Sequence, residues 1–114
     1  MFQIEKVRDW AVVTPGIKAV HLQADNCQEL LESVDAAASD KAVKNVLLDL
    51  QHVETMDSTA ITILVHLVKL RMRNTLKVAA LCQLQPSVSY VLELTHLDQL
   101  FDRYPDRDTA LKSV

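Results

Sequence analysis

The stretch "VLLDLQHVETMDSTAITILVHLVKL", residues 46–70, decides the fold. It starts apolar, passes through a short polar stretch and turns apolar again. Its first part lies in Val43–Leu50, a short, β-branched, apolar run with the pattern of a strand buried on both faces. Its last part is also rich in β-branched residues, which favours a strand. The polar residues argue the other way. Thr62, His66, Lys69 and Arg73 are spaced four, three and four apart, which makes one narrow polar stripe on a helix. The spacing predicts a helix over Ser58–Arg73, with the apolar residues from Ala60 to Met72 largely buried.

Asp57, Ser58 and Thr59 stand at the mouth of that helix. Asp57 or Ser58 can act as N-cap, its side-chain oxygen accepting an orphan backbone N–H for about 1 kcal/mol. Capping alone would explain the polar stretch. In α/β sheets, however, sites also gather at the carboxyl ends of strands, where helix N-termini point. Local chemistry leaves both readings open.

Towards the N-terminus, "FQIEKV" and "WAVVTP" read as two strands, and "IKAVHLQ" extends the second or forms a third. In "DNCQELLESVDAAAS", Cys27, Leu30, Leu31 and Val34 recur at i, i+3, i+4 and i+7, a helix. Asn26 is its expected cap, with Glu29 completing a capping box. Towards the C-terminus, "LKVAALC" (76–82) is another buried strand, and Pro86 and Ser87 open a third helix. "QLFDRYP" (99–105) holds a last short strand, and "DRDTALKSV" (106–114) a terminal helix with acids at its start. Strands that alternate with helices imply parallel pairing through crossovers, while the first two strands pair antiparallel. The expectation is one α/β domain over residues 1–114. Its sheet is mixed, partly parallel and of four to five strands, flanked by about four helices.

Composition narrows the function. The chain has 114 residues, 49% hydrophobic and 24% charged, which suits one packed core. A net charge of −3 and 4% aromatics argue against nucleic acid, which selects basic patches and stacking platforms. No apolar run approaches a membrane span, so no membrane insertion is expected. The N-terminus "MFQIEKVRDW" lacks a signal peptide's apolar stretch. The two cysteines, Cys27 and Cys82, have no C-x-x-C spacing and read as buried reduced thiols of a cytoplasmic protein. His21, His52, His66 and His96 show no metal spacing, and no glycine-rich phosphate loop is present, so neither metal nor cofactor is expected. Ser58 lacks a G-x-S-x-G nucleophile elbow, and His66 lies two turns down the helix, so an enzyme is not expected.

Read whole, residues 46–70 resemble the core of STAS domains, the fold of bacterial anti-sigma-factor antagonists. Leu48-Asp49-Leu50 matches that family's strand end, and Asp57-Ser58-Thr59 matches its D-S-S/T motif before a buried helix. "LQADNCQEL" (22–30) is similar to the family's lead into the first helix. "QPSVSYVLELTHLDQLF" (85–101) is similar to its S-P-x-V-x-x-x-L-x-x-x-G-L-x-x-x-F segment. The likeness covers most of the chain. The sequence departs from the family at Ala60, Thr62, Val20 and His96, where small residues or glycine are usual, and at Gln23, where an acid is usual.

The resemblance implies a small switch. By position Ser58 is the phosphoacceptor, with Thr59 as runner-up. Met56, Asp57, Thr59, Gln23 and Asp25 would form the partner-binding surface. The implied partner is an anti-sigma factor that is also a serine kinase of the histidine-kinase-like ATPase type, with a phosphatase restoring the unmodified form. The alternative is a STAS scaffold or regulatory subunit that is never phosphorylated, and Ala60 and Gln23 motivate it. Met56 is either an exposed partner contact or folded back onto the core. An apolar surface there would support weak homodimerisation. The basic run Lys69, Arg71, Arg73 and Lys77 reads as a solvated helix end, or alternatively as a surface for an anionic partner.

Overall fold

The structure is a computed structural model that describes residues 2–16 and 20–113. Among these residues, seven strands and four α-helices follow in the order β1 (Phe2–Val7), β2 (Trp10–Pro15), β3 (His21–Leu22), α1 (Ala24–Ser39), β4 (Asn45–Asp49), β5 (Thr55–Met56), α2 (Ser58–Met72), β6 (Val78–Cys82), α3 (Pro86–Leu94), β7 (Asp102–Tyr104) and α4 (Arg107–Lys112). Five strands form the main sheet in the order β1-β2-β4-β6-β7. Only β1 and β2 pair antiparallel, and the other pairs are parallel. The α/β class and the mixed sheet agree with the sequence expectation. The segment "IKAVHLQ" forms a third strand at His21–Leu22, which pairs with β5 outside the main sheet. Ile17–Ala19 lie outside the described residues.

The three central strands β2, β4 and β6 are buried on both faces, which is why they read as unbroken apolar runs. Alternate residues then serve different layers. Ala11, Val13, Val46, Leu48, Ala79 and Leu81 belong to the larger core, shared with α1, α2 and α3. Trp10, Val12, Leu47, Ala80 and Cys82 belong to a smaller core closed by Ala110 and Leu111 of α4. Both cysteines are buried and unpaired.

Two expectations are corrected. Helix α1 starts before Asn26: Gln23 is its N-cap, and Asn26 sits at the third helical position. Its Oδ1 accepts the Gln23 backbone N–H at 3.1 Å, so Asn26 fills the returning half of a box whose partner was expected to be Glu29. Helix α2 buries a narrower face than the apolar count suggests. Ala60, Ile63, Leu64, Leu67 and Val68 are buried, whereas Ile61, Val65 and Leu70 are partly exposed and Met72 is 77% exposed. Helix α2 packs against α1, β5 and β6, and Met72 is its last residue.

Candidate functional site

The loop from Leu50 to Asp57 leaves the end of β4 and carries the site. Long-range hydrogen bonds hold it on two sides. Ser87 Oγ donates to the Glu54 carbonyl at 2.5 Å, and Gln85 Nε2 to the Gln51 carbonyl at 2.9 Å, both from the start of α3. On the other side β5 pairs with β3, and His21 Nδ1 meets Thr55 Oγ1 at 2.6 Å. The Asp57 N–H then donates to the Leu22 carbonyl at 2.9 Å. Asp57 and Gln23 therefore leave the parallel ladder side by side. That register brings the start of α1 and the start of α2 to one edge.

Asp57 is the N-cap of α2. Its Oδ1 accepts from the Thr59 N–H at 2.9 Å and the Ala60 N–H at 3.2 Å. The two capping alternatives thus resolve in favour of Asp57, and Ser58 becomes the first helical residue. Ser58 and Thr59 are exposed, and the Ser58 carbonyl accepts from Thr62 Oγ1 at 3.0 Å. Gln23 and Asp25 are also exposed, with Gln23 Nε2 donating to Asp25 Oδ2 at 3.3 Å. An acid therefore lies two residues from the position where the family usually carries one. Met56 is partly folded back onto the core and partly in solvent.

Beneath this edge lies Cys27. Burial pushes its thiol up, and the Asp57 charge adds to the shift. Cys27 is therefore held as a neutral thiol, without the character of a reactive thiolate. Ala60, the departure from the family's glycine, is completely buried, so its methyl adds nothing to the exposed edge.

The Asp49 of the L-D-L motif is 1% exposed and faces inward. Its Oδ1 accepts from the Gln51 N–H at 3.2 Å, and its Oδ2 from Gln51 Nε2 and Gln83 Nε2 at 3.2 and 3.3 Å. Arg107 Nη2 lies 3.5 Å from Oδ2. Asp49 thus holds the root of the site loop. Sequence reading missed Gln83, Ser87, His21 and Arg107 as supports, because each contact joins residues far apart in the chain and leaves no local pattern. His66 pairs with Asp35 of α1 at 2.7 Å, which spends its ring nitrogen away from Ser58. Among the described residues no cluster of His, Cys, Asp or Glu could hold a metal ion, and no helix is long and apolar enough to cross a membrane.

The arrangement is an exposed edge that carries Asp25 and Asp57 and displays the Ser58 and Thr59 side chains at a helix start. The family model of the STAS domain matches residues 11–110, and the chain belongs to that family. Among solved structures it is similar to a STAS-domain anti-sigma-factor antagonist of Planctomyces limnophilus, at 24% identity and a TM-score of 0.84, covering 98% of this chain and 95% of that one. It is also similar to a putative anti-sigma factor antagonist of Thermotoga maritima, at 24% identity and a TM-score of 0.85, with 99% and 93% covered. The phosphorylated form of the Bacillus cell-fate determinant SpoIIAA matches at 18% identity and a TM-score of 0.68, with 100% of both chains covered. At these identities the likeness is one of fold.

Proposed function

We propose that this protein is an anti-sigma-factor antagonist, a cytoplasmic protein-binding module switched by phosphorylation of Ser58. Its partner is an anti-sigma factor that is also a serine kinase, bound only while Ser58 is unmodified, and a phosphatase resets the switch. The observation that carries this reading is the exposed Ser58 hydroxyl at the first position of α2, beside Asp57. One of the similar folds has been solved in a phosphorylated form.

The physics of the switch follows from the cap. A helix start attracts phosphate through its open N–H groups and dipole. Here Asp57 already takes the N–H groups of Thr59 and Ala60. A phosphate on Ser58 would gain the dipole and little else locally, and it would stand beside a carboxylate. Its charge of about −1.5 to −2 is then presented outward. A partner surface fitted to a neutral hydroxyl meets a like-charge cost of several kcal/mol, roughly a hundredfold loss of affinity or more. Blocking the surface is enough, and the fold need not change.

Two measurements test the reading. Phosphopeptide mass spectrometry on the protein from its own cells, growing and stressed, is expected to find phosphate on Ser58 at an occupancy that changes. In a binding assay with the natural partner, Ser58→Ala is expected to bind and Ser58→Glu to fail. Equal binding by both would instead make the protein a constitutive STAS scaffold or regulatory subunit. Labelling of Ser58 by a covalent serine probe would reopen an enzymatic role.

A further inference from the structure

Residues 41–44 and 69–77 carry six of the chain's twelve cationic side chains and none of its fifteen acidic ones. The fold joins these segments at the pole opposite Ser58, with the Lys77 N–H donating to the Lys44 carbonyl at 2.7 Å. Lys41, Lys44, Asn74 and Lys77 line a cleft of about 370 Å³. Arg71, Met72, Asn74 and Leu100 line a second of about 560 Å³. Asn74 belongs to both, so cations and apolar side chains form one continuous surface. Its apolar part stands out in water, with Met72 77% and Leu100 44% exposed.

Of the six, Arg71 is tied internally, its Nη1 donating to the Leu100 carbonyl at 3.1 Å. Lys41, Lys44, Lys69, Arg73 and Lys77 make no ion pair among the described residues. One acid, Asp40, also lines the first cleft, and it is already paired with Lys6 at 2.7 Å. Helices α1 and α2 both end here, and their dipoles call for positive charge, but each amounts to only about half an elementary charge. That leaves most of the six cations unexplained in a chain whose net charge is −3.

The residue types choose between anionic occupants. Four of the six are lysines, and neither segment contains an aromatic residue. Protein interfaces are depleted in lysine and enriched in aromatics, and single-stranded nucleic acid needs stacking platforms. An anionic bilayer asks only for clustered positive charge and an apolar tip. We infer that this pole is a peripheral docking surface for anionic phospholipid headgroups, with Met72 and Leu100 dipping into the headgroup layer. Helix α2, 15 residues and about 22 Å long, then points its Ser58 end away from the bilayer. Docking here leaves the opposite edge open and does not depend on its being a switch.

Flotation of the intact protein with vesicles of phosphatidylcholine, with and without phosphatidylserine, tests this. Binding is expected only with phosphatidylserine and should fall steeply with added salt. The paired reversal K44E/K77E, on exposed side chains, should weaken it at least about tenfold. K41E/K69E should do the same if the first pair folds poorly by circular dichroism. Equal binding to both vesicle types, or binding that survives both reversals, overturns the inference. So does a failure to bind phosphatidylserine vesicles. If that failure came with self-association abolished by the same reversals, the pole would belong to the acidic edge of a second copy.

Discussion

Asp57 and Ser58 divide the labour at the head of α2: one caps, the other is displayed. Removing the cap leaves the Thr59 and Ala60 N–H groups without their acceptor. Asp57→Ala is expected to lower stability by about 1 kcal/mol in urea denaturation, and Asp57→Asn by less. Ser58→Glu touches only an exposed position and adds a negative charge where the dipole favours one. Its melting temperature should match the parent while partner binding is lost, which separates switching from unfolding. Cys82 offers a residue-scale test of the core. Burial, then the nearby Asp49 charge, push its thiol up to about 12 against an ordinary value of 9.0, although Arg107 pulls the other way. Between those values the unfolded chain releases a proton that the folded chain keeps. Stability should therefore be unaffected by this thiol below about pH 9 and should fall as pH rises towards 12. The same alkaline titration of Cys82→Ala should show a shallower fall.

The elements of this chain are nearly all present in its sequence pattern, because burial on both faces of β4 and β6 and the polar stripe of α2 are periodic signals. Boundaries were less legible. Helix α1 starts earlier than its best capping residue suggests, since Asn26 reaches back to Gln23 from inside the helix. Turns were least legible of all. The chain has a single glycine, yet Arg8, Asn74, Gln83 and His96 all adopt positive φ. At His96 the family-like segment would carry glycine, and the structure supplies the reason: φ is 60° and ψ is 15°, between the end of α3 and the turn at Leu97–Gln99. A side chain in that region costs roughly 1–2 kcal/mol, offset in part because glycine loosens the unfolded chain. His96→Gly is therefore expected to stabilise the protein by up to about 1 kcal/mol, read as a higher urea midpoint with unchanged slope. Ala60→Gly, the other return to the family residue, should do the opposite. It sits inside α2, is fully buried and loses about 1 kcal/mol of helix propensity with no gain in turn geometry.

At the scale of the whole molecule, one arginine ties the thin layer behind the sheet to the root of the site loop. Helix α4 is only six residues long and contributes just Ala110 and Leu111 to the smaller core. Its first residue, Arg107, reaches Glu5 Oε2 at 2.7 Å, Thr14 Oγ1 at 3.0 Å and Asp49 Oδ2 at 3.5 Å. Strands β1, β2 and β4 are thereby joined through one guanidinium, a planar fork suited to several acceptors at once. The Asp49 carboxylate is 1% exposed, so its charge would lack a cationic partner if Arg107 were removed. Breaking a buried pair on one side typically costs 3–5 kcal/mol. Arg107 is itself 31% exposed, and Asp49 keeps its glutamine donors, so Arg107→Ala should cost less, about 2–3 kcal/mol. Asp49→Asn in the same chain removes the stranded charge and should restore part of that loss. A double-mutant cycle by urea denaturation separates the two contributions. Hydrogen exchange gives the second reading: in Arg107→Ala the amides of α4 should open first, followed by the loop from Gln51 to Met56, while the β2 and β4 amides stay protected. If the amides around Ser58 kept their protection in that variant, the site edge would be held by β3 and α3 alone, and Asp49 would have no part in positioning it.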